Sequence, residues 1–374
     1  MAYVPKRETS PPPEDRRGRA RRVSTIRMAH ALNPACYTNA SMWHIIGHES
    51  AVQFLAGALA RGRLAHAYLF GGPAQAGKRT LALAFARALL CQERQTQAGL
   101  VEPCGRCLHC RRILSGNHPD VRLVEPDEER QAISIEQARE IQAEAALRPY
   151  MAAWKLFIVR HIDRLRGAPS HEAAANCLLK TLEEPPEHTM FVLTADDPAA
   201  VLPTVRSRCQ PVTLRPVPPQ LIEEALLARQ VLPARAALLA RLAAGRPGWA
   251  LAAAENPAIL DEREQELARI AELVTASRLE RLEQAGQLGK DAATARRALE
   301  RWLSWWRDAL LTAQGCPDLI VNTDQVEALR STARRCGPAA IARFLARIQD
   351  AAEHIERNAS PRLVWEVLLL DMPG

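Results

Sequence analysis

The sequence predicts an α/β P-loop module built on a parallel sheet, followed by two regions that are entirely helical. Three observations carry that expectation. A short apolar strand, Ala67-Tyr68-Leu69-Phe70, runs into a glycine-rich turn and then a helical pattern from Arg79 to Leu90, the strand–loop–helix order of phosphate-binding loops. Two more apolar runs, Lys155–Val159 and Met190–Thr194, are separated by helical patterns, the alternation that builds parallel sheets. After about Val212 the strand patterns stop.

Taken in order, residues 1–41 have Pro11-Pro12-Pro13 and an arginine run from Arg16 to Arg22 but no apolar periodicity. They read as a disordered basic extension or as a mis-assigned translation start, with Met42 opening the first globular pattern. Residues 44–61 give a helix with Ile46, Val52, Leu55 and Leu59 on its apolar positions. Ser134 and Gln137 make a capping-box signal for a helix over 135–146. Residues 218–254 read as short helices broken at Pro233 and at Gly245-Arg246-Pro247-Gly248. Residues 258–374 read as long helices only. Leu299, Trp302, Leu303, Trp306 and Leu310 form one apolar stripe, and Ile341, Phe344, Leu345, Ile348, Ala352 and Ile355 form another. Tryptophans on such stripes are core residues far more often than functional ones.

The chain has 374 residues and is 48% hydrophobic, which supports two or three domains. Its aromatics amount to only 5%, while Ala, Leu and Arg are abundant, and these favour helices. No run of about 18 apolar residues is present, so no membrane span is expected. The N-terminus lacks the apolar segment of a signal peptide, and a cytoplasmic location is expected. The net charge is +7, but residues 1–41 contribute +5 of it. The remainder is nearly neutral, which argues against a strongly basic DNA-binding surface of its own.

The turn Gly72-Pro-Ala-Gln-Ala-Gly77-Lys78 fits the first seven positions of a phosphate-binding loop. Its glycines would let backbone N–H groups converge on phosphate oxygens, with Lys78 reaching the β- and γ-phosphates. The competing reading is an ordinary glycine-rich βα turn. The next position should be Ser or Thr to ligate magnesium; here it is Arg79, with Thr80 one step later. A hydrolysing enzyme also needs acids after a second strand. Leu156–Val159 is instead followed by Arg160-His161-Ile162-Asp163, with the acid about one helical turn too late. The nucleotide-binding set Gly72, Gly77, Lys78 and Thr80 is therefore degenerate, with ATP binding weak or absent.

Four of the nine cysteines cluster as Cys91, Cys104, Cys107 and Cys110. Two-residue gaps suit a knuckle, and four thiolates suit a closed, tetrahedral, structural zinc site. His109 lies between two of the candidate ligands and reads as a bystander. In Thr204-Val-Arg206-Ser207-Arg208-Cys209, Arg208 is by itself a solvated charge; its alternative is an arginine finger acting in trans on a neighbour's γ-phosphoryl group.

At these residues the chain resembles the bacterial DNA polymerase III clamp-loader family, of the AAA+ type, and within it the delta-prime branch. Asn176-Cys-Leu-Leu-Lys-Thr-Leu-Glu-Glu-Pro-Pro186, Ser207-Arg208-Cys209 and the four-cysteine insert carry the resemblance. So do the opening Trp43-His-Ile-Ile-Gly-His-Glu-Ser-Ala-Val and the tail from Asn358 to Asp371. It covers about Met42 to Gly374 and implies an AAA+ P-loop module (42–211, zinc insert 91–110), a small helical lid (212–257) and a helical collar (258–374) that joins subunits in a ring. It also implies partners: the delta and tau/gamma subunits, with the sliding clamp and primed DNA reached through the complex. Trp249 stands where the ATPase relatives carry a nucleotide-sensing Arg. Together with Arg79 and Arg160-His161, it favours a non-hydrolysing delta-prime subunit, a stator that supplies Arg208, over an active tau/gamma-type ATPase.

Overall fold

The computed structural model describes residues 43–97, 100–126, 132–165, 169–357 and 359–374; the expected N-terminal extension lies outside the described residues. α1 (Glu49–Ala60) leads into β1 (Ala67–Gly71), the glycine turn and α2 (Lys78–Leu90). α1 starts later than the apolar pattern suggests, because His44, Gly47 and His48 have φ of 55°, 67° and 64°, which no helix accepts. An antiparallel hairpin, β2 (Gln95–Gln97) and β3 (Leu100–Glu102), precedes α3 (Leu108–Leu114). Then come β4 (Val121–Val124), α4 (Ile135–Ala145), β5 (Lys155–Val159), α5 (Pro169–Glu183), β6 (Thr189–Ala195), α6 (Pro203–Arg206) and β7 (Gln210–Thr213). α4 carries its capping box: the Ser134 hydroxyl accepts the Gln137 N–H, and the Gln137 side chain accepts the Ser134 N–H.

The sheet is parallel, in the order β4-β5-β6-β1-β7. The three strands legible as apolar runs, β1, β5 and β6, are adjacent in its middle. They are continuous in hydrophobicity because helices cover both faces. Tyr68, Phe70, Leu156, Ile158, Met190 and Val192 pack on one side, and Leu69, Phe157, Val159, Phe191 and Leu193 on the other. Phe157 and Phe191 stack at 5.4 Å. β4 and β7 escape a sequence reading because they are edges: one has Arg122 at its centre, and the other contains Pro211, which only an edge tolerates.

After β7 the described chain is helical, as expected. α7 (Pro219–Leu227), α8 (Pro233–Leu242) and α9 (Pro247–Glu255) each begin on proline, which supplies a helical φ where no N–H partner is needed. The prolines that break the pattern are thus helix starts. Ile222, Leu226, Leu239, Ala243 and Ala250 form the core of this trio. α10 (Ala258–Thr275), α11 (Arg278–Leu288), α12 (Ala292–Ala313), α13 (Val326–Cys336), α14 (Pro338–Glu356) and α15 (Pro361–Leu370) share another core. Trp302 and Trp306 both meet Phe344, and Trp302 meets Trp365 edge-on at 5.1 Å.

One polar network interrupts that last core. The fully buried Asp308 of α12 accepts the backbone N–H groups of Val321 and Asn322 at 2.8 and 2.7 Å and the Asn322 amide at 2.8 Å. Arg263 of α10 donates to Asn322 and Asp324. This ties the irregular segment after α12 to two helices. Asp308→Ala would leave buried N–H groups without an acceptor and is expected to cost about 2–4 kcal/mol. Urea unfolding of the purified variant measures it, and a loss below about 0.5 kcal/mol would show the network to be dispensable.

Candidate functional site

Parallel pairing sets the site. Gly71 of β1 pairs with Ala195 of β6, so the next residue of each strand, Gly72 and Asp196, emerge side by side at the carboxyl edge. Val159 of β5 pairs with Leu193, and Val124 of β4 with Val159, which brings Arg160-His161 and Glu125 onto the same edge. β1 lies where the strand order reverses, and this edge is where open parallel sheets hold ligands.

The glycine turn is shaped for a backbone cradle. A Cβ on Gly72 would lie 2.1 Å from the Leu214 carbonyl oxygen, so only glycine lets the turn pass the end of β7. Gly77, at φ 106°, caps the N-terminus of α2, and a Cβ there would enter open space. The turn is held from both sides: His48 Nε2 is 2.8 Å from the Ala76 carbonyl, and the Gly248 N–H at the start of α9 donates to the Gln75 carbonyl at 2.9 Å. Burial lowers the His48 pKa, which favours the neutral ring.

Lys78 is buried, and its ammonium has internal partners: the carbonyls of Gly72 and Pro73 and, at 2.7 Å, Asp196 Oδ1. The other Asp196 oxygen is 3.2 Å from His161 Nδ1 and 3.8 Å from Arg164. Burial alone would raise the Asp196 pKa, but His161 and Lys78 outweigh it and hold the carboxyl well below the usual range. Asp163 sits beside them, its Oδ2 accepting the N–H groups of Asp196 and Asp197 at 2.9 and 3.0 Å. Burial raises its pKa. The half-buried Arg79 feels the opposed charges of Glu125 and Arg160, which pair with each other at 2.7 Å, and burial lowers its pKa. Thr80 is exposed. Two acids at this edge, Asp196 and Glu125, are each paired with a cation. Sequence reading missed both; the one available signal was Asp196-Asp197 directly after an apolar strand.

The four clustered cysteines meet. Their sulfurs lie within 4.8 Å of one another; Cys91, Cys107 and Cys110 are buried and Cys104 is half-buried. Cys91 follows the last residue of α2, Cys107 caps α3, and Cys110 lies in its first turn. Gly105, at φ 72°, turns the knuckle between them. The Cys104 N–H donates to Cys91 Sγ at 3.2 Å and the Cys107 N–H to Cys104 Sγ at 3.3 Å. Cys91 and Cys107 sulfurs are 3.9 Å apart, close to the separation of about 3.8 Å in a tetrahedron with ~2.3 Å metal–sulfur bonds. The donor set fits a metal ion. His109 is buried, and its Nδ1 is engaged by His118 Nε2 at 2.8 Å. The Asp120 N–H donates to His118 Nδ1, so His118 carries its proton on Nε2 and donates it to His109. Asp120 in turn accepts the N–H groups of Tyr150, Met151 and Ala152.

Arg208 follows α6, between a buried Val205 and a buried Cys209 that anchor the loop on the sheet. Burial pushes the Cys209 thiol up to about 12, so it serves as packing. The partly exposed Arg208 pairs with Glu183, the last residue of α5, at 2.5 Å and donates to the Thr204 carbonyl at 2.8 Å. Arg206 is exposed.

Residues 47–218 match the family described as "DNA polymerase III, delta subunit", and residues 257–373 match "DNA polymerase III, delta subunit, C terminal". The DNA polymerase III subunit delta' of Bacillus subtilis is 30% identical over 328 residues, which span 85% of this chain and 94% of that protein. The chain belongs to the delta-prime subunit family of bacterial DNA polymerase III. The gamma/tau subunit of Mycobacterium tuberculosis is 29% identical over 368 residues, covering 89% of this chain and 61% of that one. A solved DNA polymerase III gamma-subunit-related protein from Thermotoga maritima aligns over 85% of this chain and 97% of that one, at 19% identity and a TM-score of 0.43. No helix among the described residues is long and apolar enough to cross a membrane.

Within this family member the Lys78–Asp196 pair is a testable unit. A depressed carboxyl pKa contributes stability that is present above the unfolded value of about 3.9 and is lost as pH falls through the folded value. Asp196→Asn should cost about 1–3 kcal/mol at pH 7. The two stabilities should begin to approach each other below about pH 4 and meet only well below it. A pH-independent difference would mean that the pair is not what Asp196 contributes.

Proposed function

We propose that the chain is a non-hydrolysing subunit of the clamp loader, a stator in the ring that loads the sliding clamp onto primed DNA. One observation carries this reading. Where magnesium would need a hydroxyl and a free carboxylate, the edge presents Arg79, Arg160 and His161, with Asp196 and Glu125 paired to cations and Asp163 bonded to backbone N–H groups. Arginine cannot ligate a cation. An incoming nucleotide would also have to displace Asp196 from Lys78, with that carboxylate facing phosphate. Binding through Gly72, Gly77 and Lys78 is therefore weak or absent, and Thr80 is too exposed to substitute for the missing ligand. Trp249, half-buried at the start of α9, offers no cation at that position.

In this reading residues 42–211 form the AAA+ module, 212–257 the lid and 258–374 the collar that holds the ring together. The partners are the delta and tau/gamma subunits, with clamp and DNA engaged through the complex. The similarity to gamma/tau subunits supports an alternative, an active ATPase, but the same residues at the sheet edge oppose it. Zinc is the proposed metal, because four sulfurs close the coordination shell and leave no open position for chemistry. It would fasten the hairpin and α3 to the end of α2.

Zinc analysis of protein purified without chelator should find one ion per chain. Cys107→Ser should release it and loosen the insert, while the sheet core stays folded, since the sheet has its own apolar core on both faces. Metal-free protein with an intact insert would end the assignment.

Arg208 is the proposed finger, directed at the ATP site of a neighbouring subunit. Its guanidinium stays charged and reaches two phosphate oxygens at once. The isolated chain should show no ATP turnover. In a reconstituted loader, Arg208→Ala should leave assembly and zinc content intact and lower DNA-dependent hydrolysis at the neighbouring site at least about tenfold. Such fingers are worth roughly 10³–10⁵ where they serve small GTPases. Arg206→Ala is the control. Loading at the wild-type rate with Arg208→Ala would return Arg208 to a surface charge.

A further inference from the structure

We propose that Glu183 is a parking partner for Arg208, a positioning residue that withholds the finger until a neighbour's phosphate displaces it; the idea rests on the finger reading above. Both terminal nitrogens of Arg208 are engaged within the chain. Nη2 lies 2.5 Å from Glu183 Oε1, and Nη1 donates to the Thr204 carbonyl at 2.8 Å and approaches the Ser207 hydroxyl at 3.4 Å. These are the donors that an end-on contact with a phosphate would use. Glu183 and the phosphate therefore compete for one group.

The placement of Glu183 makes this competition reversible. It is the last residue of α5, at the negative pole of the helix, where a carboxylate is disfavoured and a cation is welcome. Arg208 supplies that cation. The side chains of Arg208 and Glu183 are 34% and 48% exposed, so water screens the pair. An exposed pair of this kind selects a rotamer without holding the fold together. A polyphosphate, with several charges against one, takes the guanidinium from it. The backbone is held meanwhile, because Val205 and Cys209 are buried on either side of the loop. Only the side chain has to swing.

The pair also links two sequence motifs that spacing leaves unrelated, the Asn176–Pro186 segment and Ser207-Arg208-Cys209. Movement at the end of α5 would change how firmly the finger is held. While Arg208 is parked, the rate at the neighbouring site is reduced by the fraction of time the finger is unavailable.

The test uses the reconstituted loader, with ATP hydrolysis measured in the absence and presence of primed DNA. Glu183→Gln removes the charge and keeps the shape. It should raise the DNA-independent rate by up to about fivefold, the range of an exposed ion pair, with the KM for ATP unchanged and the DNA-stimulated maximum little altered. Glu184→Gln, at the adjacent exposed carboxylate, should change neither rate. The double variant Glu183→Gln/Arg208→Ala should fall to the level of Arg208→Ala alone, because the gain acts through the finger. A basal rate that stays at or below wild type in Glu183→Gln overturns the parking role, as does an equal gain in Glu184→Gln. If Arg208→Ala alone leaves the DNA-dependent rate unchanged, it is the finger reading that fails, and the parking role falls with it.

Discussion

The parallel register of β1, β6, β5 and β4 is the constraint on which the site depends. Once Gly71 stands opposite Ala195, the residue after each strand is committed to one edge, and Lys78 finds Asp196. The same register sets Glu125 beside Arg160 and brings His161 up to Asp196. These contacts join residues far apart in the chain, and none is held by a loop of its own. Burial of Phe157, Phe191 and their neighbours on both faces holds the register, since a one-residue slip would exchange the two apolar faces.

In the proposed reading, a handful of side chains on this scaffold separates a phosphate cradle from a hydrolysing centre. The backbone features are present: Gly77 at the start of α2, Gly72 against β7, and the docking of α9 on the turn. What differs is charge. Arg79, Arg160 and His161 stand at this edge, and Glu125 and Asp196 pair with Arg160 and His161. In that reading the fold keeps the shape of a nucleotide site while its electrostatics serve its own stability. The proposed division of labour, with this chain lending a guanidinium and its neighbours doing the hydrolysis, follows from that difference.

The cysteine insert shows a second way of using the module. It leaves at the end of α2, and its sulfurs converge because backbone N–H groups of the knuckle point at them. The His109–His118–Asp120 chain then runs from the knuckle to the three N–H groups after α4. The insert is thus tied to the module through polar contacts beyond its own sulfurs. His109, a bystander to the sulfurs in the sequence, is part of that tie.

The sequence by itself determined what depends on local pattern. The three central strands are apolar throughout because both of their faces are covered, and the turn at Gly72–Lys78 is legible from its glycine spacing. The all-helical second half shows in the spacing of Leu299, Trp302 and Trp306, and the close spacing of the four cysteines marked them as a group. Only the tertiary structure decided the rest. β4 and β7 are edges with one neighbour each, so their hydrophobic signal is weak and Pro211 is tolerated. Local pattern does not assign partners to Asp196 and Glu183. Their partners, Lys78 and Arg208, lie 118 and 25 residues away in the chain, and strand register and helix packing choose them. A charged residue's role is set by what the fold places within a few ångströms, and that distance is not written in sequence separation.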